Sequence, residues 1–142
     1  MGTWDVGPFD NDTAADWCGT FDDAAPDARQ ALVRDTLARA ADTTDHLDAD
    51  IGDQAVAAAA LVAAQCPGGD PAHPHYGPKQ PVPDLTDLGA LALRALDRIL
   101  TGPSELLELW ADSDDGPWRT TINGLRTTLT PRPPPGEQLH RI

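Results

Sequence analysis

Lysine is almost absent from this sequence, with Lys79 standing against 20 aspartates. Arginine only partly makes up the deficit, so 10 basic residues face 23 acidic ones and the formal net charge is −13. Direct nucleic-acid binding is therefore disfavoured, because phosphates require a basic patch. Cysteine is scarce too: Cys18 and Cys66 are too few for a disulfide framework. Long apolar runs are missing. The best one, Ala55 to Ala64, falls short of the ~20 residues of a membrane span. No charged segment followed by an apolar run opens the chain, so the expected setting is the cytoplasm with reduced thiols. No run alternates with period two for long enough to form a strand. Gly-rich phosphate loops, nucleophile elbows and His-Glu-x-x-His are all lacking. A non-enzymatic protein without a cofactor is the expectation.

What is present reads as helices. The first is expected from Asp12 to Phe21, its free N–H groups capped by Asp10 or Asn11. Pro26 suits the first turn of a second helix, running to about Ala41. There Leu32, Val33, Thr36, Leu37, Ala40 and Ala41 form one stripe, and Asp35 and Arg39 are spaced as an i,i+4 ion pair. The Asp-rich run from Asp42 to Asp53 is read as a connector. Gln54–Gln65 is apolar on every side, so that helix should be central. Pro67 to Pro83 holds six prolines and three glycines and cannot continue it. A fourth helix, Thr86 to Leu100, carries Leu88, Leu91, Ala92, Ala95, Leu96 and Ile99 on one face. Gly102-Pro103 ends it, and a short helix follows from Ser104 to Trp110. The last starts at Pro117 and buries Trp118, Ile122, Leu125 and Leu129. Trp110 is placed in the core as well. The expected fold is a single-domain, all-α bundle of five or six helices spanning residues 1–130. An irregular N-terminal arm is pinned over it by Trp4 and Phe9, and a Pro-rich, disordered tail covers 131–142.

The opening pattern resembles an uncharacterised bacterial family, domain of unknown function 4259. The residues carrying the resemblance are Trp4, Gly7, Phe9, Asn11, Asp12, Ala14 or Ala15, and Asp16. Ala63 to Gly69, Tyr76-Gly77-Pro78, Leu93 to Asp97 and Glu105 to Trp110 add to it. The family usually has glycine where this chain has Asp5. The resemblance implies a small, mostly helical bacterial protein, with Trp4, Gly7, Phe9 and Asn11 in structural roles. It implies no activity.

Charge is unevenly distributed. Residues 1–70 hold 14 acidic and 3 basic residues, whereas residues 71–142 hold 9 and 7. A basic protein partner would be attracted to the first half, and Asp12, Asp16, Asp22 and Asp23 are the candidate contact residues. The protein is then a small binding or inhibitor protein, of the immunity type. The alternative is a divalent-metal-dependent enzyme that uses Asp10, Asp12 and Asp16 as oxygen ligands. The spacing departs from a calcium loop, because Ala14, Ala15 and Phe21 occupy required ligand or glycine positions. Cys66, His73, His75 and Tyr76 offer zinc-type donors in one loop, at a spacing matching no established pattern. An ordered proline-rich loop is the simpler reading of that segment. Cys18, in an acidic segment, is expected to be a packing residue with a raised pKa.

Overall fold

The computed structural model describes residues 12–65, 82–111 and 116–130. The expectations for Trp4, Gly7, Phe9, Asp10, Asn11, Cys66, His73, His75, Tyr76 and the 131–142 tail lie outside these residues, as does the Trp110 side chain.

The described chain is all-α, with six α-helices: α1 (Asp12–Asp23), α2 (Arg29–Ala41), α3 (Ala49–Ala64), α4 (Gly89–Ile99), α5 (Glu105–Ala111) and α6 (Gly116–Leu129). Short 3-10 turns, Pro26–Ala28 and Thr86–Leu88, lead into α2 and α4. The expected second and fourth helices are therefore each a tight turn followed by an α-helix. The stripes hold. Val33, Thr36, Leu37 and Ala40 are buried on α2, and Ala92, Ala95, Leu96 and Ile99 on α4. Trp118, Ile122 and Leu129 are buried on α6, with Leu125 packed against the same core.

α3 is the axis of the bundle and packs against α1, α2, α4, α5 and α6. Every residue from Ala55 to Ala63 is buried. Methyl side chains let the neighbouring helices approach closely, so an all-round apolar helix finds partners on every side. The helix begins at Ala49, however, so the expected connector stops at Asp48. Asp50 lies in the first turn, where the positive end of the helix dipole favours a carboxylate. Asp48 is extended and makes no side-chain cap. The Ala49 N–H is instead satisfied from α5, by Glu105 Oε1 at 2.7 Å.

Three polar anchors fix the connections. Arg98 on α4 donates to the carbonyls of Thr43, Asp45, Thr101 and Pro103, tying the α2–α3 loop to the α4–α5 loop. The same two loops form an isolated parallel bridge between Leu47 and Ser104, in which Leu47 N–H donates to Pro103 O at 3.1 Å and Glu105 N–H to Leu47 O at 2.8 Å. Gln65 receives the chain where it returns to α4. Its Nε2 donates to Pro83 O and its Oε1 accepts from Leu85 N–H, both at 2.7 Å. One side-chain amide thus stands in for a strand neighbour, satisfying backbone groups that would otherwise be left unpaired.

Candidate functional site

α1 presents three stripes. Ala14, Trp17, Cys18 and Phe21 recur at i, i+3, i+4 and i+7 and are buried. The Trp17 and Phe21 ring centroids are 5.9 Å apart. Trp17 Nε1–H donates to Thr36 Oγ1 at 2.9 Å, and that hydroxyl donates to Leu32 O at 2.8 Å. The indole is thereby buried with its polar atom satisfied. Arg29, only 6% exposed, closes the C-terminal end of the stripe. Its Nε donates to Phe21 O and one terminal nitrogen to Asp22 O, with the guanidinium 5.7 Å from the Phe21 ring centroid. α1 has no basic residue in its own last turn, so α2 supplies the cation that its carbonyl end favours.

The second stripe is acidic. Asp12, Asp16 and Asp23 fall at i, i+4 and i+11, on one face, and all three are exposed. Asp22 departs from this arrangement. It is half-buried and turned away from the stripe, close enough to Cys18, four residues earlier, to act on its thiol. Burial first, and then Asp22, push that thiol up to about 12, so Cys18 is no nucleophile at neutral pH.

The third stripe, Thr13, Asp16, Trp17 and Thr20, lines a cleft of about 390 Å³. Leu32, Thr36 and Arg39 of α2 and Asp50 and Gln54 of α3 complete it. Thr13 Oγ1 reaches Asp50 Oδ1 at 3.4 Å. Asp16 thus belongs both to the outer acidic face and to a polar cleft of mixed charge. The sequence reading did not assemble this cleft. Its signal was present in each helix separately, as polar residues three or four apart bordering an apolar stripe, but nothing local to one helix shows that the three borders meet.

Arg34 pairs with Asp35 at 3.6 Å. The expected partner of Asp35, Arg39, instead lines the cleft. Across the bundle, Arg126 Nε of α6 lies 2.8 Å from Asp97 Oδ1 of α4. The contact is an ion pair without an aligned hydrogen bond. Among the described residues no group of three or more His, Cys, Asp or Glu side chains is placed to hold a metal ion. Nor, among them, is any helix long and apolar enough to cross a membrane.

No curated protein and no solved structure matches the chain with significant similarity. The family described as Domain of unknown function (DUF4259) matches residues 2–121. That span takes in the acidic helix, the central α3 and the α4–α5 loop anchored on it. The chain therefore belongs to the DUF4259 family.

Proposed function

We propose that this protein is a non-enzymatic binding protein of the inhibitor or immunity type, whose acidic face engages a basic protein partner in the cytoplasm. The observation that carries this reading is the excess of exposed carboxylates over exposed arginines. Asp12, Asp16, Asp23, Asp27, Asp35, Asp42, Asp45, Asp48 and Asp50 are exposed. Of the three arginines on the same segment, Arg29 is buried against Phe21, Arg34 is paired with Asp35, and Arg39 is exposed at the cleft. The outward field is therefore negative, and such a field speeds capture of a cationic surface.

The test is the association rate of a basic protein recovered from the native host, measured as ionic strength rises. Salt screens the field over ~8 Å at physiological strength, so the rate should fall steeply. Replacing Asp12, Asp16 and Asp23 together by Asn should slow it further with little effect on folding. A rate indifferent to both changes removes the proposal. The second reading, a divalent-metal-dependent enzyme, draws on Asp16 and Asp50, which line the same cleft. It requires thermal stabilisation by magnesium or manganese that Asp16→Asn abolishes.

A further inference from the structure

The cleft between α1, α2 and α3 gathers polar groups that the fold itself leaves idle. Its floor is covered: Trp17 and Thr36 are buried and Leu32 is half-buried. Its rim is exposed and carries charge of both signs, from Asp16 of α1, Arg39 of α2 and Asp50 of α3. Among the described residues, neither the Asp16 carboxylate, the Arg39 guanidinium nor the Gln54 amide has a hydrogen-bond or ion-pair partner. The Asp50 carboxylate accepts from the Thr13 hydroxyl at 3.4 Å, the long end of the hydrogen-bond range. Opposite charges thus border one opening without closing on each other. At about 390 Å³ the cleft has the size of a small-molecule site.

We propose that this cleft binds a free basic α-amino acid of the lysine type, with its α-carboxylate on Arg39, its two cationic groups at Asp16 and Asp50, and its methylene stem over Trp17 and Leu32.

The complement follows from the charges. A guanidinium is a planar, two-pronged donor that matches a carboxylate. Each aspartate calls for a cation, so the three rim residues sum to −1 and the matching ligand carries one carboxylate and two cations. Such a ligand needs a wet rim for its ends and an apolar strip for its stem, and the cleft has its charges outside and Trp17 and Leu32 within. Gln54 adds an amide able to donate to the carboxylate or accept from an ammonium. A basic side chain arriving on a partner protein supplies a single cation, leaving one aspartate and Arg39 without a counter-charge. A lone divalent metal ion is repelled by Arg39 at the same rim. The site goes beyond the acidic-face reading, and its test requires no protein partner.

The Trp17 indole N–H, which donates to Thr36 inside the cleft, is the reporter. Its NMR resonance in the intact chain is followed at low ionic strength against three probes. These are L-lysine, cadaverine, which lacks the carboxylate, and Nα-acetyl-L-lysine, which lacks the α-ammonium and has the chemistry of a peptide C-terminus. The shift should saturate with L-lysine, and the other two should bind about tenfold more weakly, as expected for one lost charge-assisted contact. Arg39→Gln should remove the difference between lysine and cadaverine, and Asp16→Asn should weaken lysine about tenfold. Both side chains are exposed, so these variants keep the fold. No saturable shift with L-lysine would overturn the proposal. So would equal affinity for the three probes, wild-type affinity for lysine in Asp16→Asn, an undiminished preference for lysine over cadaverine in Arg39→Gln, or the same shift produced by magnesium chloride alone.

Discussion

The two ends of α3 belong to one helix and obey different rules. From Ala55 to Ala63 every residue is buried, and the neighbours are apolar side chains on α1, α2, α4 and α6. From Ala49 to Asp53 the helix is half-covered, and its neighbours include a carboxylate from α5 and two carboxyls of its own. The first end is stabilised by the exclusion of water and tolerates no polar atom. The second depends on a cap supplied from 56 residues away and holds a carboxyl, Asp53, that burial pushes up. Apolar enclosure and polar capping are thus separated along a single element.

The comparison is broken most severely by giving the core end the chemistry of the other. Ala59→Asp places a charge where exposure is zero. The expected loss is more than about 4 kcal/mol, because the described core around it is apolar and leaves the charge without compensation. Chemical denaturation checks it, and a variant with a wild-type midpoint would show that α3 is not tightly enclosed.

Gly52→Val probes the boundary. Leu106 occupies the space above Gly52, so a branched side chain should cost about 1–3 kcal/mol through overpacking. In a Leu106→Ala background the same change should cost less, which a double-mutant cycle measures.

Asp53→Asn sharpens the contrast through pH. The folded chain holds the Asp53 proton up to about 7, against an ordinary value of 3.8. The folded state therefore binds more protons than the unfolded one between these values. Stability from this group is greatest at low pH and declines as pH rises towards about 7. The variant should gain about 1–2 kcal/mol at pH 8 and almost nothing below pH 4, after allowance for solvent screening. Denaturant midpoints at the two pH values settle the sign. The smallest effect belongs to the exposed Arg94–Asp42 pair. Asp42→Ala should change stability by less than about 0.5 kcal/mol, measured in the same way.

The stripes of α2, α4 and α6 were legible in the sequence, because each buries one face of a regular period. So was the central place of Ala55–Ala63, since a helix without a polar face has to be enclosed. The first turn of α3 was not. Asp48, Asp50, Gly52 and Asp53 resemble a connector by composition, yet carboxylates suit a helix N-terminus and Gly52 admits Leu106. Asp12, Asp16 and Asp23 emerged on one face as their spacing implies, whereas Asp22 points elsewhere. The burial of Arg29 and the capping of Ala49 by Glu105 rest on contacts between distant parts of the chain, which no local pattern encodes.

Cys18 has a use beyond its packing. Its sulfur is buried under the first helix and its thiol resists ionisation. An alkylating reagent therefore reaches it only in the intervals when α1 has lifted from its neighbours. In a Cys66→Ser background, the labelling rate at Cys18 becomes a clock for that lifting. Such a clock would register a partner's arrival on the acidic face as a slowing of labelling, without a dye, a tag or any knowledge of what the partner is.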